Sequence, residues 1–123
     1  MSRKKSHNRI PKDIAEVVRD RADGACEMLL HPHCVGMAQQ MHHRQMRSQG
    51  GEHTVENLIH ICAACHHYAH MHPAISYTHG YLVKSHGDPA EVPVTYRGQP
   101  VILTADGQVE HYFKPRNDAG LSS

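Results

Sequence analysis

The chain has 123 residues, of which 39% are hydrophobic and none is tryptophan, so it can form one small domain with a modest core. No apolar run approaches the ~20 residues of a membrane-spanning helix, and we expect no association with a membrane. The formal net charge of +1 is low for a protein that binds nucleic acid by its overall charge alone.

The N-terminal part begins with a basic segment and continues as an amphipathic helix. Residues 1–10 are rich in lysine and arginine and carry no apolar run, so we predict a disordered basic arm, with a phosphate-binding arm as an equal alternative. Pro11 can open a helix, and Gly24 can end it. Apolar residues recur between them at helical spacing: Ile14, Val17 and Val18. This apolar face needs a partner, which we expect the core to supply.

The middle of the chain predicts two short strands and a helix. Residues 26–37 contain proline and glycine and are predicted to be irregular. A strand is predicted at residues 37–44, and a second strand is predicted at Leu58–Ile61 after a glycine-containing loop. The helix Ala63–Met71 follows, and Pro73 is expected to end it.

The remaining segments have the composition of β-hairpins. GYLVKS, VPVTYRG, QPVILT and GQVEHY are rich in β-branched and aromatic residues and are separated by Gly, Pro or Asp-Gly turns. We predict a β-rich extension at residues 76–113 that packs on the core, and a flexible tail at residues 114–123. The fold class predicted from all these elements is α+β.

Four cysteines flank the predicted strands at spacings that suit one zinc ion: Cys26, Cys34, Cys62 and Cys65. Because no secretory signal precedes them, a reducing compartment and metal thiolates are favoured over disulfides or inert buried thiols. The Cys-x-x-Cys spacing of Cys62 and Cys65 is typical of a zinc knuckle, and a Cys₄ site tolerates the looser spacing of the first pair. His31 or His33 is an alternative ligand in place of Cys34.

Two pairs of histidines suggest a second metal site. His66 and His70 are four residues apart, so on a helix they project from one face and can share an ion. His42 and His43 are adjacent, and a regular strand would turn them to opposite faces, so a shared site requires a strand end or an irregularity. The alternative is one functional and one surface histidine. Other histidines are interpreted as surface or partly buried residues: His53, His60, His67 and His72.

Asn57 stands between the two histidine pairs, and the whole spacing resembles the HNH motif of the ββα-metal (His-Me finger) nucleases. The stretch HHRQMRSQGGEHTVEN, followed by His66 and His70, is similar to the colicin DNase form of that motif. The Cys-x-x-Cys before His66 and the GG after an RSQ stretch resemble the small zinc-stapled HNH proteins of tailed phages and prophages. The resemblance covers residues 11–75 and implies a ββα-metal nuclease domain with zinc knuckles over those residues.

The resemblance also implies roles for individual residues. His43 would be the general base that takes a proton from the attacking water. His42, His66 and His70 would hold one divalent metal at the scissile phosphate, and Asn57 would brace the loop that aims His43. The nitrogen-rich ligand set favours Zn²⁺, Ni²⁺ or Mn²⁺, with Mg²⁺ as an alternative, and the cysteines would hold a separate structural zinc.

The function implied by the resemblance is metal-dependent hydrolysis of DNA phosphodiester bonds, by nicking or low-specificity cleavage. Arg44, Arg47 and Gln49 are predicted to grip backbone phosphates. RNA is an alternative substrate, because no feature senses a 2′-hydroxyl. The relatives imply phage DNA processing or packaging beside a terminase, in the cytoplasm of a bacterial host cell. Two alternatives come from other classes: a zinc-stabilised DNA-binding module without catalysis, and a terminase-interacting module.

Overall fold

The computed structural model describes residues 9–29 and 32–113 and confirms the predicted α+β class. Within those ranges the helices are α1 (Lys12–Ala22), α2 (Ala63–Met71) and α3 (Pro73–His79). The strands are β1 (Gln40–His43), β2 (Leu58–Ile61), β3 (Val94–Tyr96), β4 (Gln99–Leu103) and β5 (Val109–His111). No helix in these ranges is long and apolar enough to cross a membrane. The predicted tail and residues 1–8 of the predicted arm lie outside the described residues.

An antiparallel pair of strands followed by a helix forms the centre of the fold. β1 pairs with β2 along its whole length, with His43 opposite Leu58. β2 and α2 have the predicted bounds. β1 is shorter than predicted, because Met37 forms an isolated antiparallel bridge with Ala25 instead of pairing with β2. This bridge closes the loop that carries the first two cysteines.

The first helix packs its apolar face against β2. Ala15, Val18 and Ala22 are its buried residues. Val18 packs with Val55 and Leu58 in a small apolar cluster on this side of the sheet. The helix ends at Asp23, whose positive φ of 54° is followed by 82° at Gly24, where glycine accepts the left-handed backbone without a steric cost.

A buried ion pair links α1 to both sheets. Arg21 binds the two carboxylate oxygens of Glu27 at 2.7 and 3.0 Å. Glu27 also accepts the backbone N–H of His60 on β2 and the hydroxyl of Tyr96 on β3, each at 2.7 Å. Because every oxygen of this buried carboxylate has a partner, the charge is compensated, and the network fixes the position of α1 relative to the strands.

The C-terminal part begins with a helix. Pro73 ends α2 as predicted, and it is also the first residue of α3, a position where its missing N–H costs nothing. α3 therefore continues past residue 76, where the β-rich extension was predicted to begin. The GYLVKS segment is not a strand, because the N–H of Val83 bonds to the carbonyl of Arg44 and the two preceding N–H groups bond to Ser76. β3, β4 and β5 then form an antiparallel sheet in chain order.

The extension packs on the side of the molecule where the cysteines lie. Its buried residues join Cys26, Cys62 and Cys65 in the larger apolar cluster of the described chain: Tyr81, Val94, Tyr96, Val101 and Leu103. Burial of this apolar area is the main force that holds the extension to the central unit.

Arg44 is wholly buried and joins the central unit to the extension. Its residue is 0% exposed. Its guanidinium donates hydrogen bonds of 2.7 to 3.0 Å to four backbone carbonyls, those of Glu56, Gly80, Pro89 and Val92. A planar group with five N–H donors is suited to such a position. The prediction that Arg44 grips a backbone phosphate is wrong, because its donors are buried and bonded within the protein.

Replacing Arg44 with alanine should lower the free energy of unfolding by ~3–5 kcal/mol, because four buried carbonyls would lose their donor and a cavity would form. Urea-induced unfolding of the purified protein measures the change. Arg19→Ala, at an exposed position of α1, is the matched control and should have little effect. Equal midpoints for the two variants would contradict the structural role of Arg44.

Candidate metal centre and active site

Three histidines meet between β1 and α2. His42 on β1 faces α2, where His66 and His70 stand about one turn apart. One nitrogen of each ring lies within 4.8 Å of the others, and the ring centroids are 5.1 to 5.2 Å apart. Nitrogens bound to one tetrahedral ion are ~3.3 Å apart, so the rings need to close by no more than ~1.5 Å to share an ion.

Hydrogen bonds fix which nitrogen is free in two of these rings. His42 Nε2 donates to the carbonyl oxygen of Tyr81 at 2.6 Å, which leaves Nδ1 with the lone pair. That Nδ1 is buried and has no hydrogen-bond partner among the described residues, as a metal-ligating atom would in the absence of its ion. His66 Nδ1 donates to Gln40 Oε1 at 2.7 Å, which leaves Nε2 free. The residues therefore fit a bound divalent metal.

Burial favours the neutral form of His42 and His66. It lowers the pKa of His42 to about 3, and repulsion from His66 and His70 acts in the same direction. Burial also lowers the pKa of His66, with repulsion from His70 as a smaller cause. A neutral imidazole offers the lone pair that a metal requires, so these rings are ready to bind one at neutral pH.

His43 is the last residue of β1 and contacts a histidine of the loop that follows. His43 Nε2 and His53 Nδ1 are 3.0 Å apart, and the ring centroids are 5.1 Å apart. Burial, and to a smaller extent repulsion from His53, Arg47 and His66, lowers the pKa of His43 to about 4. His43 is therefore neutral at pH 7 and lies near the histidine cluster. The adjacent histidines face different groups, as strand alternation requires.

Asn57 holds the loop between β1 and β2 closed. Its residue is 1% exposed. Its Oδ1 accepts the N–H of Gln45 at 2.6 Å, and its Nδ2 donates to the carbonyls of Gln45 and Glu52 at 3.0 and 2.9 Å. Glu52 immediately precedes His53, so this clamp also fixes the histidine that faces His43.

Both Asn57→Ala and the nearly isosteric Asn57→Asp should lower the free energy of unfolding by ~1–3 kcal/mol. Alanine removes the clamp, and a carboxylate places a second acceptor against the carbonyls of Gln45 and Glu52, where the amide had two donors. Urea-induced unfolding of the two variants, with Glu56→Gln as a neighbouring control, measures the effect. An Asn57→Asp protein as stable as the wild type would contradict the clamp.

Four sulfur atoms converge at the start of α2, those of Cys26, Cys34, Cys62 and Cys65. They lie within 4.8 Å of one another, and none of the four forms a disulfide within the described part of the chain. Backbone N–H groups donate to three of these sulfurs at 3.3 to 3.4 Å. The cluster contains Cys34 and does not contain the exposed His33, and His31 lies outside the described residues. The arrangement fits a tetrahedral zinc ion.

Burial and neighbouring groups shift the pKa values of three of the cysteines. Burial raises the pKa of Cys65, and the neighbouring Cys26 raises it further. Burial also raises the pKa of Cys34. At Cys62 burial acts in the same direction, but hydrogen bonds, first that of the Cys65 N–H, bring its pKa down to about 7. Four sulfurs this close together are suited to a divalent cation, which would balance the negative charge of the thiolates.

Two residues predicted to contact phosphates lie in a 3₁₀ turn after β1, at Arg47–Gln49. Arg47 is exposed, donates to the carbonyl of Gly51 at 2.8 Å, and contributes to the lowered pKa of His43. It therefore presents positive charge beside His43. Gln49 is partly buried, and its Oε1 has no hydrogen-bond partner among the described residues.

The sequence interpretation missed three contacts of the site: His53, Gln40 and the carbonyl of Tyr81. The contact with the Tyr81 carbonyl could not be predicted, because every residue type carries a backbone carbonyl. His53 had one available signal, because it lies four residues before Asn57 in the loop that Asn57 was predicted to brace. Gln40 lies two residues before His42, on the same face of a strand, and that spacing was also readable.

Comparison with known proteins gives a family match for part of the chain. Residues 26–71 match the family model described as HNH endonuclease. No curated protein and no solved structure shows a significant match to the chain. The matched segment contains all four cysteines, the four histidines of the two predicted pairs, and Asn57. The match at residues 26–71 supports an HNH endonuclease domain in this segment, which implies a nuclease-type function directed at nucleic acid.

Proposed function

We propose that the chain is a metal-dependent endonuclease that hydrolyses DNA phosphodiester bonds by nicking or low-specificity cleavage. The observation that carries the proposal is the convergence of His42, His66 and His70 within 4.8 Å, with the neutral His43 next to His42 in the chain and near enough to His66 for electrostatic repulsion. This arrangement offers a ligand set and a base at one place, which is what hydrolysis of a phosphodiester requires.

His42 through Nδ1, His66 through Nε2 and His70 would hold one divalent ion. When bound, this ion supplies positive charge that stabilises the negative charge developing on the phosphate and on the leaving 3′ oxygen. Three imidazole nitrogens favour Zn²⁺, Ni²⁺ or Mn²⁺ over Mg²⁺. The Tyr81 carbonyl and Gln40 keep two of the rings in the tautomers that direct their lone pairs toward the ion.

His43 would take the proton from the attacking water. Its low pKa keeps its lone pair free at neutral pH, and its position at the end of β1 keeps it beside the ligand set. Asn57 would act by closing the loop, because its own side chain is buried and bonded to backbone groups. Arg47 would contact the DNA backbone and position it without reading its sequence.

The four cysteines would hold a structural zinc. Cys62 caps the N-terminus of α2, and its Sγ accepts the N–H of Cys65. His66 follows directly, so an ion on these sulfurs would also fix the first turn of the helix that carries two of the catalytic ligands. The role in phage DNA processing or packaging, the terminase partner, the bacterial cytoplasm and RNA as an alternative substrate rest on the resemblance and stay predictions.

Nicking of supercoiled plasmid tests the proposal. Protein purified with zinc is incubated with plasmid and Mg²⁺, Mn²⁺, Ni²⁺ or Zn²⁺, or with a chelator that strips the histidine cluster. We expect conversion of supercoiled to open-circular DNA with the metals, no conversion with chelator, and recovery when the metal is restored. His70→Ala should lose the activity, and His67→Ala, an exposed neighbour on the same helix, should keep it.

The alternatives give different results in the same assay. Retention of plasmid in a gel without nicking under any metal would support a DNA-binding module without catalysis. Neither nicking nor retention would support a module that binds a protein partner. Either result would overturn the proposed hydrolysis.

A further inference from the structure

The loop between β1 and β2 carries a histidine, His53, that contacts the proposed base His43. His53 is partly buried, and its Nδ1 lies 3.0 Å from Nε2 of His43. Both rings are in hydrogen-bonding range of each other, and hydrogen bonds between neutral imidazoles have one N–H donor and one lone-pair acceptor. The direction of that bond decides which nitrogen of His43 remains available for chemistry.

The backbone of the loop just before His53 is held by close contacts and hydrogen bonds. Gly51 lies against the backbone of Gln45, where a Cβ would be only 1.7 Å from the Gln45 carbonyl oxygen. Its N–H bonds to the carbonyl of Met46 at 2.9 Å. The Nδ2 of Asn57 donates a hydrogen bond of 2.9 Å to the carbonyl of Glu52. His53 therefore follows two residues whose backbone is fixed, which places its Cα where the ring can reach His43.

Only one direction of the bond leaves His43 able to act as a base. If His53 donated to His43 Nε2, the neutral His43 would carry its proton on Nδ1, and neither nitrogen could accept another. If His43 Nε2 donates to His53 Nδ1, the lone pair on His43 Nδ1 is free. When that nitrogen takes a proton from water, the ring becomes a cation whose Nε2–H already faces a lone pair, so the charge is stabilised.

We propose that His53 is a positioning residue that accepts a hydrogen bond from His43 Nε2 and so holds His43 in the tautomer and orientation required of a general base. The inference rests on the proposed nuclease function for its catalytic consequence, but the hydrogen bond itself exists independently of activity. His53 takes no proton in this scheme, because the proton from water stays on His43 Nδ1. His53 would accept a hydrogen bond from His43 as Gln40 accepts one from His66 and the Tyr81 carbonyl accepts one from His42.

Two substitutions separate this role from a merely structural one. His53→Ala removes the acceptor. His53→Asn restores an acceptor. The Oδ1 of asparagine and the Nδ1 of histidine are both bonded to Cγ, so Oδ1 can occupy nearly the same position. We expect His53→Ala to lower kcat for plasmid nicking by ~10–100-fold with KM nearly unchanged, as for other residues that orient a reacting group. His53→Asn should recover most of kcat, and His86→Ala, an exposed histidine of the extension, should match the wild type.

A second measurement does not depend on activity. Nitrogen-15 spectra of the zinc-loaded protein report the tautomer of each imidazole, and His43→Asn assigns the His43 signals. In the wild type and in His53→Asn, His43 should be protonated on Nε2 and its N–H should exchange slowly. In His53→Ala that slowly exchanging signal should disappear. Thermal unfolding and zinc content, equal in all variants, would establish that each one is folded.

Each outcome decides between the proposals. If the wild type does not nick DNA but its spectra show the His43 Nε2–H bond to His53, the proposed function fails and the positioning contact stands. If the wild type nicks DNA and His53→Ala nicks it equally fast, or if His53→Asn does not recover kcat, the positioning role is wrong. A faster His53→Ala enzyme would also overturn it, since His53 would then obstruct the base.

Discussion

Replacement of His43 by alanine should lower the rate of metal-dependent plasmid nicking by ~10²–10⁴-fold, the usual contribution of a general base. The substituted protein should bind as much metal as the wild type, because the ligand nitrogens belong to His42, His66 and His70. Single-turnover nicking rates, together with metal content by mass spectrometry, measure both quantities in the same preparation.

Two comparisons make the result for His43 specific. His67→Ala, on the exposed side of α2, should retain the wild-type rate and metal content. His70→Ala should lose both metal and activity. If His43→Ala nicks DNA at the wild-type rate, then His43 is not the base, and the proton must go to another group or to solvent.

Replacement of Cys62 by serine should release zinc and lower the melting temperature by more than ~10 °C, since structural zinc contributes a large share of the folding free energy in small domains. Cys62 lies in the buried cluster, caps α2 and receives the N–H of Cys65. Loss of this ion should also loosen His66, so metal-dependent nicking should fall even though none of its ligands has changed.

Zinc content and thermal unfolding, followed by the nicking assay, measure these effects of Cys62→Ser. Ala63→Ser is the matched control, because it introduces the same hydroxyl one residue later at an exposed position of the helix. A Cys62→Ser protein with the wild-type zinc content and melting temperature would show that the four sulfurs are inert buried thiols. A protein that lost zinc but kept full nicking activity would contradict the coupling between the two sites.

The parts of the fold with a local signal could be predicted from the sequence. α1 follows from apolar spacing between Pro11 and Gly24, and β2 and α2 follow from a short apolar run and the proline beyond. The geometry of the histidine cluster also has a local basis, because a spacing of four on α2 brings His66 and His70 to one face. These features depend on neighbours in sequence.

The parts that could not be predicted depend on contacts between distant residues. Arg44 sits beside His43 in sequence, which suggests a phosphate contact, but its four acceptors come from residues 56, 80, 89 and 92. The GYLVKS segment has the composition of a strand, yet its backbone bonds to Ser76 and Arg44 instead. The role of the Tyr81 carbonyl at His42 has the same origin, because it requires the extension to be folded against β1.

Anomalous X-ray diffraction from crystals grown with zinc and soaked with Mn²⁺ would test the central claim most directly, since each metal is located by its own absorption edge. We expect two peaks in each chain. One should be a zinc peak ~2.3 Å from the four cysteine sulfurs, and the other a peak of zinc or of manganese ~2–2.3 Å from the free nitrogens of His42, His66 and His70. A protein that nicks DNA in Mn²⁺ but shows no metal peak among these three histidines would contradict the account.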